Sequence, residues 1–156
     1  MKQYERLIET PIGTLIAVTD GEAITVLDFA DDALDIEPSG HPLLLQLSNE
    51  LEEYFSGKRT VFTLPLNPHG TMFQKEVWET LRKIPYGETL SYAAEAKRFG
   101  NPKAVRAVAN ANGRNPIAIL IPCHRVIATG GGLGGYSGGI EKKVFLLALE
   151  KDNPYL

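Results

Sequence analysis

The chain has 156 residues, 44% hydrophobic and 22% charged, with a formal net charge of −3, which fits one or two small globular domains with a buried core and excludes a disordered tail or a fibre. No stretch approaches a membrane span of about eighteen consecutive apolar residues, and the charged N-terminus MKQYERLIET lacks the apolar stretch of a signal peptide, so the protein is expected to stay where it is made. The single cysteine, Cys123, excludes an internal disulfide framework and a multi-cysteine metal knot and makes a reducing cytosol the expected compartment.

The small net charge conceals an asymmetry. Residues 1–69 carry four Lys/Arg against twelve Asp/Glu, a net charge of −8, whereas residues 70–156 carry twelve against seven, a net charge of +5. A polyanion such as nucleic acid would approach the second half, although an uneven scatter of solvated surface charge gives the same count.

In chain order, residues 13–18 and 23–29 are β-rich runs around Thr19-Asp20-Gly21-Glu22, whose Asp-Gly favours a tight hairpin, so a small antiparallel sheet is expected. Over residues 42–55, Leu44, Leu45, Leu47, Leu51 and Phe55 recur at helical spacing up to the stop at Gly57, which predicts a helix covering that sheet. After the apolar run 61–66, Asn67-Pro68-His69-Gly70 has no periodicity and sits where the charge sign changes, which places a domain boundary there.

The second half opens with Thr71-Met72-Phe73-Gln74, a capping-box pattern that predicts a helix through Arg82, ended by Ile84-Pro85-Tyr86-Gly87. Residues 91–98 and 102–111 then read as two short helices joined by Phe99-Gly100-Asn101, with Asn101 as N-cap and Pro102 at the first helical position. That is the outline of a helix-turn-helix whose second helix carries Lys103 and Arg106 beside Ala104, Ala107 and Ala111; an ordinary helical hairpin with inward alanines fits the same pattern.

The continuous apolar run 117–121 predicts a buried strand, closed abruptly by Pro122-Cys123-His124-Arg125. Burying His124 and Arg125 beside it is costly unless partners come from elsewhere in the fold. A lone buried Cys is an inert small hydrophobe in one reading; in the other, the adjacent His helps form the nucleophilic thiolate. The glycine-rich stretch 130–139 has neither the strand-to-helix context of a dinucleotide fingerprint nor the lysine of a P-loop, and reads as a connector or as a pocket wall built on Tyr136 and Ser137. A final helix over 140–149 is apolar along 144–149 and therefore expected to be mostly buried. Glu150 at its C-terminus opposes the macrodipole, either solvated beside Lys151 or placed to orient His124. These elements predict an α/β protein with a small N-terminal antiparallel sheet-plus-helix domain over 1–69. A mainly helical domain with a helix-turn-helix and a short buried strand follows over 70–156.

Residues 121–126, Ile-Pro-Cys-His-Arg-Val, preceded by Asn115-Pro116 and followed by Tyr136-Ser137-Gly138-Gly139, resemble the active-site signature of the methylated-DNA–protein-cysteine methyltransferases, the O6-alkylguanine-DNA alkyltransferases. The similarity runs from about Thr71 to Glu150. It includes residues 101–108, Asn-Pro-Lys-Ala-Val-Arg-Ala-Val, which are similar to the family's DNA-reading helix, and Ile84-Pro85-Tyr86-Gly87 with Ser91-Tyr92 leading into it. In the first half, Gly57-Lys58-Arg59 and residues 62–66 resemble the family.

The resemblance implies repair of O6-alkylguanine, and of O4-alkylthymine, in double-stranded DNA by irreversible alkyl transfer to Cys123, one turnover per molecule, in a cytoplasmic monomer without a membrane partner. It implies His124 acting through water as the base for the thiol, oriented by Glu150, with Asn115 holding the Cys-bearing turn. Tyr92 would turn out the base and hydrogen-bond the leaving guanine, Ser137 would be a further donor, and Tyr136 and Gly138 would complete the substrate pocket. DNA contacts are implied for Asn101, Lys103, Tyr92 and Arg106, the last filling the gap left by an extruded nucleotide. No cofactor is implied, and no metal, because the N-terminal cysteines that hold zinc in some relatives are absent. Three other classes differ in testable ways. A non-catalytic binder of alkylated DNA carries tryptophan at the cysteine position, a cysteine hydrolase turns over, and a transcription regulator reads an operator without needing the thiol.

Overall fold

The computed structural model describes residues 2–30, 34–128, 130 and 132–151. The chain divides into two units, the first running to His69 and the second beginning at Gly70.

The first unit is a three-stranded antiparallel sheet, β1 (Tyr4–Thr10), β2 (Gly13–Thr19) and β3 (Ile24–Phe29), in the order β1-β2-β3. The hairpin between β2 and β3 forms as expected: Asp20 Oδ1 accepts from the backbone N–H groups of Glu22 and Ala23 at 2.8 and 2.9 Å, and Gly21 supplies a φ of +97°. Strand β1 was not anticipated. It is an edge strand carrying Glu5, Arg6 and Glu9, and charged edges hide the alternation by which a strand is recognised. Helix α1 (Pro42–Phe55) packs on this sheet through Leu44, Leu47, Leu51 and Tyr54, all essentially fully buried, each worth about 1.5–3 kcal/mol of hydrophobic stabilisation. Its end is a Schellman turn, in which Gly57 takes a φ of +78° and the Lys58 N–H donates to Glu53 O at 2.8 Å.

The second unit comprises α2 (Met72–Arg82), β4 (Leu90–Ser91), α3 (Tyr92–Phe99), α4 (Val105–Gly113), a 3-10 turn (Cys123–Arg125), β5 (Val126–Ile127) and α5 (Ile140–Lys151). The Thr71–Gln74 capping box starts α2 with both reciprocal bonds made. The apolar faces of α2, α3 and α4 meet in a cluster of Val77, Ala96, Val108 and Ala111, sealed by the edge-on pair Phe73 and Phe99 with ring centroids 5.2 Å apart. Trp78 is buried here and donates its Nε1–H to Ala111 O at 2.9 Å.

Four expectations are corrected. The second helix of the helix-turn-helix starts at Val105, not Pro102, and its N-cap is Ala104; Asn101 Oδ1 instead accepts from Lys103 N at 3.2 Å, capping a turn that carries Lys103 ahead of the helix. Residues 117–121 are buried but form no strand. They wind through consecutive tight turns with Ile119 at φ +71°, because the Asn115 side chain takes the place of a ladder partner. The short buried strand is β5, paired in parallel with β4. Finally, Val144 and Phe145 of α5 are 45% and 40% exposed, while Lys143, Leu146 and Glu150 face inward.

Candidate active site

The parallel pair β4–β5 assembles the site. Its register sets Ser91 opposite Ile127, which brings the N-terminus of α3, with Tyr92, beside the strand that follows the Cys123 turn. Ser91 caps α3 by accepting from Ala94 N at 3.0 Å. Cys123, half-buried, opens into a cleft of ≈ 270 Å³ lined by Tyr92, Ala109, Asn112, Gly113, Gly135 and Tyr136. Gly134, at φ +72°, lets its loop approach Tyr92 closely, since a Cβ there would stand 2.7 Å from the phenol oxygen.

Asn115 fixes the Cys-bearing turn. Its Oδ1 accepts from Ile117 N at 2.9 Å, and its Nδ2 donates to Ile121 O at 2.7 Å and to Cys123 Sγ at 3.3 Å. Burial pushes the thiol above its ordinary value, while the Asn115 hydrogen bond and the Lys143 charge pull it down, so the resting group at neutral pH is the thiol and needs a base.

His124 is buried, with Nε2 2.8 Å from Glu150 Oε2. Glu150 also accepts from Arg125, Nε to Oε1 at 2.8 Å and Nη2 to Oε2 at 3.0 Å, and Arg125 Nη1 donates to Ile84 O at 2.7 Å. These bonds to His124 and Arg125 overcome burial and hold the Glu150 carboxyl down at about 2. An ionised Glu150 requires the proton on Nε2, which leaves His124 Nδ1 as the lone-pair nitrogen. That nitrogen is buried and has no hydrogen-bond partner among the described residues. Burial lowers the His124 pKa despite Glu150, so the ring is neutral and able to take a proton.

Sequence reasoning missed Lys143. Its fully buried ammonium donates to Val126 O at 2.6 Å and Gly135 O at 3.0 Å and lies 5.9 Å from the Tyr92 ring centroid. The signal was its spacing with Leu146 and Glu150, which share one helical face. Of the expected residues, Cys123, Tyr92 and Tyr136 line the cleft, Asn115 is bonded to Cys123, and His124, next in the chain, is bonded to Glu150. Ser137 and Gly138 lie outside its lining, and Ser137 is exposed. Asn101, Lys103 and Arg106 are exposed on the helix-turn-helix. Gly131 of the glycine-rich stretch lies outside the described residues.

A thiol presented to a cleft, with a neutral His and a buried carboxylate behind it and a helix-turn-helix alongside, defines a thiol-dependent protein of the DNA-binding class. Residues 72–152 match the 6-O-methylguanine DNA methyltransferase DNA binding domain, and residues 3–68 match the ribonuclease-like domain of the same family. The chain is 45% identical over 152 residues to a methylated-DNA–protein-cysteine methyltransferase of Methanosarcina acetivorans, covering 94% of this chain and 97% of that one. It is 44% identical to the constitutive methylated-DNA–protein-cysteine methyltransferase of Bacillus subtilis, with 95% of each covered. The crystal structure of Mycobacterium tuberculosis O6-methylguanine methyltransferase superposes with a TM-score of 0.87 at 42% identity, covering 97% of this chain and 94% of that one. That of Mycobacterium tuberculosis OGT in complex with DNA gives 0.87 at 44%, covering 96% and 94%. The chain belongs to the 6-O-methylguanine DNA methyltransferase family in both of its units.

Proposed function

We propose that this protein repairs DNA by moving the alkyl group of an O6-alkylguanine irreversibly onto its own Cys123, one base per molecule. The observation that carries the reading is the Cys123 thiol at the cleft with a neutral, Glu150-bound His124 adjacent in the chain. The proton of Sγ passes through a water to His124 Nδ1; Sγ then forms a bond to the alkyl carbon as the O6–carbon bond breaks, and its electron pair leaves with the guanine oxygen. Tyr92 donates a hydrogen bond to the departing base, which finally regains one proton, so the thiol's proton ends on guanine and the protein retains a thioether. Lys143 holds positive charge beside this path and favours the thiolate.

Asn115 keeps the turn in place. Arg106 of α4 fills the space vacated by the extruded nucleotide, and Lys103 and Asn101 contact the backbone of the duplex. The same chemistry extends to O4-alkylthymine, whose alkyl group also leaves from an exocyclic oxygen. Tyr136, with Ser137 and Gly138 of its loop, closes over the base. A cytoplasmic monomer fits a single thiol that must remain reduced. The test is incubation with an O6-methylguanine duplex followed by intact-protein mass spectrometry: one methyl per chain is expected, and none on Cys123→Ala, which still binds DNA. Multiple turnovers, or a methyl on Cys123→Ala, refute the reading.

A further inference from the structure

Two buried polar side chains have no role in alkyl transfer as described. Glu95 on α3 is 0% exposed and Asn112, in the last turn of α4, is 7% exposed. Asn112 Nδ2 donates to Glu95 Oε1 at 2.7 Å. The other oxygen of each group, Glu95 Oε2 and Asn112 Oδ1, has no hydrogen-bond partner among the described residues. Their chain neighbours Ala96 and Ala111 belong to the apolar cluster of this unit. A buried carboxylate with one hydrogen bond and no cation is an expensive arrangement, and an unpaired amide oxygen beside it adds to the cost.

One proton resolves both deficits. A protonated Oε2 is a donor and Oδ1 is an acceptor, so a carboxylic acid and a carboxamide already joined by one bond are complementary for a second. We propose that Glu95 is a positioning residue that, as the neutral acid on the acid side of neutrality, closes a two-bond acid–amide pair with Asn112 and so fixes the wall of the thiol cleft. Asn112 lines that cleft with Cys123 and Tyr92, and the pair ties α3 to α4. Burial pushes the Glu95 carboxyl up to about 7 against the single bond from Asn112. When Glu95 ionises, the second bond is lost, and its charge pushes both the Cys123 thiol and the Tyr92 phenol upward. The remaining charged groups on the packed elements do not compensate. Lys75, Glu76, Glu79 and Arg82 of α2, Lys97 and Arg98 of α3, and Arg106 of α4 are exposed, and Lys143 is engaged with backbone carbonyls.

Glu95→Gln separates charge from geometry, since an amide keeps both bonds and cannot ionise; Glu95→Leu removes both. Carbon-13 NMR of glutamate carboxyls in the intact protein should show one group titrating near pH 7 that is missing in Glu95→Gln. A spectrum with no glutamate titrating above about pH 6 overturns the proposal, and this measurement needs no variant to fold. In transfer from free O6-benzylguanine, the rate of the unaltered protein relative to Glu95→Gln should fall about threefold between about pH 6 and about pH 8.5, the change in thiolate fraction when a nearby negative charge moves a thiol by about half a pKa. Glu95→Leu should be slower at every pH. Superimposable profiles for the unaltered protein and Glu95→Gln overturn the proposal. The kinetic arm rests on the alkyl-transfer reading and the NMR arm does not, so a protein that transfers nothing sinks that reading while the titration still decides this one.

Discussion

Replacing Glu150 with Gln tests the buried network at its centre. The substitution keeps size and shape but removes the charge that two Arg125 bonds and the His124 bond share. The carboxyl drops from an ordinary 4.5 to about 2 in the folded protein, which corresponds to about 3 kcal/mol of stability. Removing one partner of a buried pair independently gives about 3–5 kcal/mol, so a loss of about 3 kcal/mol is expected. Because the folded value is the depressed one, this contribution is present above about pH 4.5 and is lost as pH falls toward about 2. The gap between the two proteins should therefore be full at neutral pH, roughly halved by about pH 3 and mostly gone only near about pH 2. Urea unfolding followed by fluorescence of Trp78, the only tryptophan and a buried one, reads the second unit directly. Chemically, the neutral amide no longer demands the proton on Nε2, so the His124 lone pair is no longer held at Nδ1, and transfer from free O6-benzylguanine to Cys123 should slow by about 10²–10⁴. An unchanged urea midpoint, or a transfer rate equal to that of the unaltered protein, would refute the reasoning.

Arg106→Ala should slow repair of an O6-methylguanine duplex by about tenfold or more while sparing reaction with free O6-benzylguanine, because only a duplex must be held open; equal losses on both substrates would remove its base-extruding role. Gly134→Ala should cost about 1–3 kcal/mol, since the loop sits at φ +72° and the new Cβ would meet the Tyr92 phenol at 2.7 Å. It should also lower transfer by displacing that phenol, and a variant as stable and as fast as the parent would show that the loop yields instead.

The elements legible in the sequence are those set by local chemistry. Helix α1 carries its apolar stripe at helical spacing and ends on a glycine, and α2 announces itself with a capping box, so both have the expected boundaries. The errors arise where tertiary partners replace local rules. An apolar run is ambiguous between strand and any other buried backbone; over residues 117–121 the decision belongs to the Asn115 amide, which satisfies one donor and one acceptor that a neighbouring strand would otherwise take. Likewise the Pro102 signal for a helix start is real but local, and the chain spends residues 101–104 in a turn before α4 begins.

The site was legible as chemistry before it was legible as geometry. Cys123 and His124 stand together in the chain, but Glu150 lies 26 positions beyond His124, and nothing in spacing alone joins them. What did point outward was the need of Arg125 for a buried counter-charge, and the structure shows one carboxylate meeting that need and orienting His124 at once. The same fact explains a residue that looked misplaced. A glutamate in the last turn of α5 opposes the helix dipole by a few tenths to about 1 kcal/mol, far less than a bidentate buried guanidinium returns. The inversion of α5 follows: with Lys143 bound to the carbonyls of Val126 and Gly135 and Glu150 bound to Arg125, these two charged side chains have their partners inside, and Val144 is left facing water. Hydrophobic periodicity misreads this helix because its inward face is chemical, placing the cation that favours the thiolate and the carboxylate that sets the histidine tautomer.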